Sequence, residues 1–584
     1  MPYQACPGFC PGYRKKLTAA LFLVCVLGAP LFSQTGNSQA GNAGVVDFNS
    51  PGEPGELAAA LVNGMSDEEA LAQTFMFGWT GAAPSPLIMD WIRLRRVGGV
   101  KVFGWNAENL ETLAEAVGAM QRAALADRRR VPLLVATDQE GGMVRHIKGQ
   151  TSETPGNASI GAGGFPADAY RTGYHIGREL ALLGINMNFA PVVDISTVKD
   201  SALLGSRTFG DDPVQTGILG TAFMKGLAAS GVIATAKHFP GHGGTSLDSH
   251  GVLPRIDADE ALLWERELVP YRMMSRSGLP AVMSGHLAFP RTPGGDEPAS
   301  LSPWFLTDLL RNRIGFEGMV ITDDLRMYGA FLATGSLART AREALLAGND
   351  MLLISSTPAL HDEVWTSLLA LMKTDGAFRR RVRDAACRVL RIKLIHLRGN
   401  GVPPVPGIDG IRKGIPDPGG RAFFLDQAAR GIRAIKRART LSPSDRVLLA
   451  GRYGTFFAAG RRAWPGAAAY HYGEPSAAVL AALAAGADRV ILCLENGADL
   501  RLLESLRLLN KPAAVLCAAP SVPPAWLRYI NENGWIDSAA ALHGTSEQSF
   551  IAGFSFLLGG LNPPGLDPPA PNPPDLNPPA GAGP

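Results

Sequence analysis

Short, continuously apolar runs alternate with longer amphipathic segments over much of the chain, from residue 75 to about residue 400. The apolar runs are FMFGW (75–79), VGGVKVF (97–103), VPLLVATD (131–138), INMNFAPVVD (185–194), VIATAKHF (232–239), PAVMSGHL (280–287), GMVITDD (318–324) and DMLLISS (350–356). Runs without apolar–polar alternation are typical of parallel strands that helices cover on both faces. Eight strand–helix units predict a closed (β/α)₈ barrel of the TIM type.

The pattern changes after residue 400. Residues 401–420 are rich in Pro and Gly and lack hydrophobic periodicity, so they predict a linker. Further apolar runs then alternate with Ala-rich helical stretches, which predicts a small α/β layered domain. These runs are VLLAG (447–451), RVILCLE (489–495) and AAVLCAA (513–519). We therefore expect a barrel over residues 55–400 and a second domain over residues 421–558.

The two ends of the chain differ in composition from both domains. Residues 1–40 combine a basic stretch with an apolar run, 17–32, that is too short for a membrane span, and small polar residues follow. This layout is typical of a signal peptide, so we expect an exported protein of the periplasm or cell envelope. The alternative is a retained leader that anchors the protein to the membrane. Residues 559–584 repeat a Pro-Pro unit and predict a disordered tail.

Composition and charge narrow the function classes. The chain has 584 residues, 46% of them hydrophobic, which is ample for two cores, and its net charge is only +3. That balance does not indicate a nucleic-acid-binding protein. Arginines concentrate in residues 378–398, where the helical spacing of apolar residues favours a solvated amphipathic helix over a polyanion site. Cys387, Cys493 and Cys517 are widely spaced, and we interpret them as buried thiols.

Charged or imidazole side chains follow five of the eight predicted strands. They are Asp138, Asp194, Lys237 with His238, His286, and Asp323 with Asp324. The carboxyl ends of barrel strands open on one face, so these side chains should meet at a common rim. One such residue would be explained by a capped turn. Five together predict a catalytic site.

The segment KHFPGHGGTSLDSH (237–250) admits several interpretations. His238 and His242 have the spacing of a helical zinc pair, but Pro240 and the glycines oppose a helix and disfavour a metal site. A phosphate loop would place its lysine after the glycines, whereas Lys237 precedes them. The remaining interpretation is a flexible loop that carries a general acid/base.

The acid/base of this loop would be formed by Asp248 and His250. A carboxylate beside an imidazole fixes its tautomer and orientation and raises its basicity.

The same segment resembles the signature of the β-N-acetylglucosaminidase branch of glycoside hydrolase family 3. Other motifs similar to those of the family follow in the family's order. They are DQEGG (138–142), NFAPVVDI (188–195), GSRTFG (205–210), GMVITDDL (318–325) and AGNDMLL (347–353). The resemblance spans about residues 57–400, and it implies that the second domain is a reduced form of the α/β sandwich found in two-domain members.

The resemblance also implies roles for individual residues. Asp323 would be the nucleophile that forms a covalent glycosyl-enzyme, with net retention. His250 would act as the acid/base and Asp248 would orient it. The sugar hydroxyls would be bound by Asp138, Arg207, Lys237 and His238. No metal ion and no organic cofactor is implied. For Asp194 and His286 a structural role at the barrel mouth is equally compatible with the sequence, and Asp324 would support the strand end that carries the nucleophile.

Three positions depart from the family pattern. Gly244 stands where an Asp is common, and Met143 and His146 stand where Arg is usual. The sugar contact made near DQEGG is therefore open to question.

The leading hypothesis is an exported, retaining exo-β-N-acetylglucosaminidase that acts on N-acetylglucosamine-containing muropeptides from peptidoglycan. Its partner is a carbohydrate substrate, and no nucleic acid is involved. Alternatives within the family are a β-glucosidase or an N-acetylglucosaminide phosphorylase. An alternative of another class is a non-catalytic barrel that binds the cell wall.

Overall fold

The structure is a computed structural model that describes residues 46–198, 204–399 and 401–561. The predicted signal segment, 1–40, and residues 562–584 of the predicted tail lie outside the described residues. Within the described ranges, no helix is both long enough and apolar enough to cross a membrane.

A parallel barrel occupies the first part of the described chain. Its strands, with a short hairpin, are β1 (Phe75–Gly78), β2 (Gly99–Lys101), β3 (Leu134–Thr137), β4 (Gln139–Gly141), β5 (Val144–Arg145), β6 (Met187–Asn188), β7 (Ile233–Phe239), β8 (Ala281–Ser284), β9 (Met319–Thr322) and β10 (Leu352–Ile354). Strands β4 and β5 form the hairpin, and the other eight form one sheet in the order β10-β1-β2-β3-β6-β7-β8-β9. Ile321 of β9 pairs with Met351 beside β10, which closes the sheet. Each predicted run contains one barrel strand, so the predicted fold class is confirmed.

Apolar side chains fill the barrel and surround it. Every residue of β1, β3, β7, β8 and β9 is buried, because one face packs inside the barrel and the other against helices. The interior cluster includes Met76, Leu134, Met187, Phe189, Ile233, Met283, Met319, Ile321, Met351 and Leu353. This burial on both faces explains why the runs lack alternation.

Helices surround the sheet between successive strands. The α-helices of this part are α1 (Pro54–Asn63), α2 (Asp67–Ala72), α3 (Pro86–Asp90), α4 (Leu110–Leu125), α5 (Asn157–Gly163), α6 (Pro166–Leu182), α7 (Pro213–Ala229), α8 (Glu260–Leu262), α9 (Leu268–Arg276), α10 (Tyr328–Thr334), α11 (Leu337–Ala347), α12 (Glu363–Thr374) and α13 (Gly376–Leu397). The π and 3₁₀ helices of this part are Trp91–Arg95, Gly104–Asn106, Gly205–Arg207, Leu263–Glu267, Ala299–Leu301 and Trp304–Arg313. Local sequence sets their starts: the Ser66 hydroxyl accepts a hydrogen bond from the Glu69 N–H, and Glu69 caps Ser66 in return.

The basic segment 378–398 lies almost entirely on α13, whose apolar face is buried. Four of its arginines contact barrel carboxylates. The pairs are Arg379–Asp67, Arg383–Asp67, Arg381–Asp350 and Arg388–Asp350. These contacts hold four of the seven arginines against the barrel, which favours the amphipathic-helix interpretation over a polyanion site.

One buried cation on α13 lies at the amino-terminal end of the barrel. Lys393 is fully buried, and its Nζ donates a hydrogen bond to Gln73 Oε1 at 2.9 Å. Burial lowers the pKa of Lys393 to about 7. An unfolded lysine stays protonated up to a pH of about 10.4, so protons favour the unfolded chain. The resulting destabilisation is absent above that pH, grows as the pH falls towards 7 and is constant below.

We expect Lys393→Met to stabilise the protein at pH 6. Linkage gives a penalty of roughly 4 kcal/mol for the lysine, and the Gln73 amide oxygen, left without its donor, offsets part of the gain, so the net change is about 2 kcal/mol. Thermal melts at pH 6 and pH 10 check this, because the gain should disappear at the higher pH. Exposed Lys373 provides the control, Lys373→Met. A gain that is equal at both pH values would contradict the explanation.

The second domain is an α/β sandwich. Its strands are β11 (Arg433–Arg437), β12 (Val447–Gly451), β13 (Ala468–His471), β14 (Arg489–Leu494), β15 (Ala513–Cys517) and β16 (Ile536–Ala541), in the order β11-β16-β15-β14-β12-β13. Only β11 is antiparallel to its neighbour. Helices α14 (Ile408–Gly414), α15 (Pro418–Gly431), α16 (Gly454–Ala463), α17 (Ala477–Ala484), α18 (Gly497–Leu508), α19 (Pro524–Glu532) and α20 (Glu547–Leu557) complete this part. Separate apolar clusters cover the two faces of the sheet.

Residues 401–420, predicted as a linker, contain α14 and the start of α15. Ile411 is buried, and α14 contacts α4 and α6. Asp417 accepts the Gly419 N–H at the start of α15 and also contacts His175 Nδ1 at 2.8 Å. These helices were not predicted, because packing against the barrel, rather than local periodicity, maintains them.

Strands β12, β14 and β15 coincide with the three predicted runs, and the other three strands were not predicted. Strands β11 and β13 lie at the sheet edges and are partly exposed. Strand β16 ends in alanines that favour no single element. Short edge strands carry too little hydrophobic signal to be recognised from one sequence. Cys493 and Cys517 are buried thiols, as predicted, and Cys387 is partly buried.

Candidate active site

Two lysines and a histidine surround Asp138, which follows β3. Its Oδ1 lies 2.5 Å from Lys237 Nζ, and its Oδ2 lies 2.7 Å from Lys101 Nζ and 3.4 Å from His146 Nε2. Burial raises the pKa of Asp138, but the Lys101 and Lys237 ammonium groups lower it more, to well below its usual range. The carboxylate therefore stays ionised at the barrel mouth.

A second carboxylate, Glu140 in the β4–β5 hairpin, extends this cluster. It is fully buried, and its Oε1 lies 2.6 Å from Lys237 Nζ. The Arg207 guanidinium donates to both carboxylate oxygens, at 2.8 and 2.9 Å. Burial raises the pKa of Glu140, but Arg207 and Lys237 outweigh that effect and keep it below the usual value. Arg207 and Lys237, both predicted sugar ligands, are thus positioned by one anion.

Sequence reasoning missed Lys101 and Glu140 as site residues. Lys101 ends β2 within the run VGGVKVF, where a single polar residue in a buried strand was the available signal. Glu140 lies in the DQEGG motif, but nothing in the motif itself indicates that its side chain turns towards Arg207. Both residues are buried and charged, so each requires a partner of opposite charge. Lys101 pairs with Asp138, and Glu140 pairs with Arg207 and Lys237.

Glu140→Gln is expected to weaken substrate binding and stability together. The isosteric amide removes the charge that pairs with Arg207 and Lys237, which leaves two buried cations undercompensated at a cost of about 3 kcal/mol. We expect the KM for an aryl N-acetylglucosaminide to rise roughly 10- to 100-fold, about 1.4 to 2.7 kcal/mol of binding. Steady-state kinetics and denaturant unfolding measure the two effects.

The matched control for this change is Glu317→Gln. Glu317 is 82% exposed, and its ion pair with Arg391, at 3.6 Å, lies at the surface. It should alter neither quantity beyond about 0.5 kcal/mol. A Glu140→Gln enzyme with an unchanged KM would remove Arg207 from the set of sugar ligands.

Asp194 positions His238. Its Oδ2 contacts His238 Nδ1 at 2.8 Å, and its Oδ1 accepts the backbone N–H groups of His238 and His242 at 3.1 and 2.7 Å. Burial raises the pKa of Asp194, but the His238 imidazole has the larger effect and lowers this pKa to about 2. This contact fixes the orientation of the ring and turns its Nε2 away from Asp194. Asp194 therefore has a positioning role.

His286 supports the strand end that carries Asp323. The buried ring contacts Ser300 Oγ through Nδ1 at 2.7 Å and donates from Nε2 to the Asp324 carbonyl oxygen at 3.1 Å. Burial lowers the pKa of His286, although the nearby Asp323 and Asp324 oppose this effect. The Asp324 carboxylate accepts the N–H groups of Arg326 and Ser355 and is occupied as a cap.

Asp323 lies at the carboxyl end of β9 and is partly exposed. Its N–H donates to the Ser284 carbonyl oxygen at 3.0 Å, and its Oδ1 accepts the Asp324 N–H at 2.8 Å. Burial raises the pKa of Asp323, but His238 and His286 lower it more, so it lies below the usual value. The carboxylate is therefore an accessible anion beside the cationic cluster.

The predicted acid/base pair lies on the long loop after β7. His250 Nδ1 contacts Asp248 Oδ1 at 2.7 Å, and the same oxygen accepts the His250 N–H at 2.9 Å. The two side chains are 74% and 51% exposed. The loop contacts α10, since Gly329 N–H donates to the Ser249 carbonyl oxygen at 3.1 Å. The structure thus forms the pair and places it beside the helix that follows Asp323, but not against the buried cluster.

Two glycines fix the base of this loop. A side chain at Gly243 would collide with the Ile195 carbonyl oxygen, and one at Gly244 would come within 2.7 Å of Ile256 Cγ2. The Gly243 carbonyl also accepts the Thr197 hydroxyl at 2.9 Å. Gly244, where the family commonly has Asp, is therefore explained by close packing.

The other departures from the family pattern have different consequences. His146 reaches Asp138, and its Nδ1 accepts the Gly104 N–H at 3.2 Å, so this position keeps a contact with the cluster. Met143 is 52% exposed. In the described ranges, no three His, Cys, Asp or Glu side chains are arranged so that they could hold a metal ion.

Comparison with known proteins gives consistent matches. The sequence profile of the Glycosyl hydrolase family 3 N terminal domain matches residues 68–392. Beta-hexosaminidase A of Pseudoalteromonas piscicida is 35% identical over 260 residues, which cover 42% of this chain and 43% of that protein. A beta-hexosaminidase of Chromobacterium violaceum is 36% identical over 282 residues, which cover 47% of this chain and 75% of that protein.

A solved structure extends the similarity to the second domain. The glycoside hydrolase family 3 beta-N-acetylglucosaminidase from Paenibacillus sp. str. FPU-7 has 27% sequence identity and a TM-score of 0.76. The superposition covers 86% of this chain and 98% of that one. The chain spans less than half of the Pseudoalteromonas protein, so the similarity to that relative concerns the barrel.

Proposed function

Because this chain belongs to glycosyl hydrolase family 3 and is a glycoside hydrolase of the β-hexosaminidase type, we propose that it is a retaining exo-β-N-acetylglucosaminidase. The proposal assigns Asp323 as nucleophile, His250 as acid/base and Asp248 as its orienting partner. The observation that carries it is the ionised, partly exposed Asp323 at the end of β9, beside a buried cluster of cations and carboxylates.

Hydrolysis of the glycosidic bond proceeds in two steps. In the first, the Asp323 carboxylate attacks the anomeric carbon while His250 donates a proton to the departing oxygen, so that one C–O bond forms as the other breaks. In the second, His250 takes a proton from water, the water oxygen attacks the same carbon, and Asp323 is released. Two inversions give net retention. Asp248, which contacts Nδ1, leaves Nε2 as the nitrogen that transfers the proton.

The sugar would be bound by the cluster at the barrel mouth. The predicted ligands Asp138, Arg207, Lys237 and His238 all project from strand ends or adjacent turns. These side chains form ion pairs with one another or with neighbouring charged groups. Sugar hydroxyl groups would donate hydrogen bonds to the carboxylates and accept them from the cationic groups. Lys101 joins this set through its contact with Asp138.

We further propose that the substrate is a peptidoglycan fragment with terminal β-linked N-acetylglucosamine and that the enzyme is exported. Two features support this. The leader sequence has the layout of a signal peptide. The exposed acid/base pair also leaves room for a bulky leaving group on that side of the site.

The test compares aryl N-acetyl-β-glucosaminide, aryl β-glucoside and defined muropeptides as substrates, each with and without inorganic phosphate. The proposal expects turnover of the first and third substrates, release of N-acetylglucosamine in the β configuration, and no acceleration by phosphate. Preference for the glucoside would indicate a β-glucosidase. Formation of a sugar phosphate would indicate a phosphorylase.

A further inference from the structure

A cleft of about 260 Å³ lies between the barrel and the second domain, outside the site described above. Its barrel wall comes from α5, the segment 205–211 and the start of α7. Its other wall comes from residues 520–522, from Leu527 on α19 and from His543. The two domains therefore build it together.

The cleft lies at the carboxyl ends of strands from both sheets. Residues 205–211 follow β6 of the barrel, whereas residues 520–522 follow β15 and His543 follows β16. In α/β barrels and in parallel α/β sheets alike, loops at this end of the strands form ligand sites. The position therefore favours a binding site over an incidental packing gap.

One buried side chain in the cleft lacks a partner. His543 is only 8% exposed, its Nδ1 donates to the Pro520 carbonyl oxygen at 2.8 Å, and its Nε2 has no hydrogen-bond partner among the described residues. Burial lowers the pKa of His543, so the ring is neutral and Nε2 is an acceptor. A buried acceptor without a partner is costly, and a ligand hydroxyl or amide N–H would satisfy it.

The remaining lining indicates the chemistry of the ligand. Polar groups come from Ser196, Thr208, Asp211, Gln215 and Ser521, and none of the described lining residues is Lys or Arg. Among these described lining residues Asp211 is the one charged group, so a phosphate or carboxylate ligand would meet a like charge there. A neutral molecule rich in hydroxyl donors fits the acceptors, and the volume suits a single sugar ring.

We propose that this cleft is a second carbohydrate site, which binds N-acetylglucosamine and is distinct from the catalytic pocket. The ligand identity rests on the proposed function, whereas the existence of a sugar site does not. The segment 205–211 links the two sites, because it lines the cleft and carries Arg207, whose guanidinium pairs with Glu140. Occupancy of the cleft therefore influences sugar binding at the barrel mouth.

The test measures the stoichiometry of N-acetylglucosamine binding to the full chain by equilibrium dialysis. Wild-type protein should bind two equivalents, one in each site. Ser521→Trp places an indole in the cleft from an exposed position and should bind one equivalent. The control Leu508→Trp, at a residue of α18 that is 82% exposed and outside the cleft, should bind two. Circular dichroism verifies that all three proteins are folded.

Inhibition of hydrolysis gives a second measurement. N-acetylglucosamine should inhibit the wild type with a mixed pattern and Ser521→Trp with a purely competitive one. The second site is overturned if Ser521→Trp binds as many equivalents as the wild type, whether that number is two, one or none. Binding of inorganic phosphate in the cleft overturns its assignment to a neutral sugar. Binding of two equivalents without any hydrolysis would contradict the proposed function but would still support the second site in the cleft.

Discussion

Asp323→Ala is expected to reduce kcat/KM for aryl N-acetyl-β-glucosaminides by at least about 10⁴-fold while the protein remains folded. No neighbouring group can replace the lost nucleophile. Asp324 is occupied by the backbone N–H groups of Arg326 and Ser355, and Asp138 is held between lysines on the sugar-binding side. Steady-state kinetics and circular dichroism of the purified variant measure the loss and the fold.

A matched control is Asp308→Ala, because Asp308 is an exposed aspartate in the segment that precedes β9. Its activity should equal that of the wild type. Azide supplies a further arm: in Asp323→Ala it can enter the vacated space and attack the anomeric carbon directly, which gives an α-glycosyl azide. Activity of Asp323→Ala within about tenfold of the wild type would remove this residue from the nucleophile role.

The pH dependence of this group follows from the direction of its shift. The pKa of Asp323 lies below the usual value because His238 and His286 outweigh burial. The nucleophile is therefore ionised at every pH above about 4, and its protonation limits activity only below that pH. Substrate turnover measured between pH 3 and pH 6 should not show a limb from a carboxyl group with a raised pKa.

His250→Ala is expected to lower kcat/KM by about 10²- to 10⁴-fold on substrates with poor leaving groups. The loss arises because the departing oxygen must then leave as an anion. On a dinitrophenyl glycoside, whose leaving group needs no proton, formation of the glycosyl-enzyme should be nearly normal and its hydrolysis slow. Azide should then restore turnover and give a β-glycosyl azide, because it needs no general base.

Exposed His361 provides the control for this experiment, and His361→Ala should behave as the wild type on every substrate. Asp248→Asn should show a smaller loss than His250→Ala, because the imidazole remains while its orientation is weakened. Equal losses on good and poor leaving groups would contradict an acid/base role for His250.

The barrel was predictable because each of its strands is buried on both faces, as β7 shows by keeping seven consecutive residues from solvent. A strand that is buried on both faces appears in the sequence as one continuous apolar run. The position of Asp138, Lys237 and Asp323 at strand ends was predictable for the same reason, since the end of a run marks the rim. Their pairing was not, because Glu140 and Arg207 are 67 positions apart and meet only in the folded barrel.

The second domain shows where local pattern fails. Strand β11 has the sequence RAIKR, whose residues are mostly partly exposed, and it continues directly from α15. Helix α14 lies in a Pro- and Gly-rich stretch and depends on contacts with α4 and α6. In both cases the element is specified by a distant surface that a single local window does not contain.

The tightly packed Gly243 and Gly244 separate the loop after β7 into a fixed stem and a variable tip. The stem is set by contacts with Ile195 and Ile256, whereas the Asp248 and His250 side chains at the tip are exposed, so changes at these two side chains should leave the barrel undisturbed. The proton-transfer pair thus lies on an exposed loop tip, whereas the sugar-binding cluster is buried at the mouth of the barrel. Such an arrangement lets leaving-group preference evolve, or be engineered, independently of the recognition of the sugar itself.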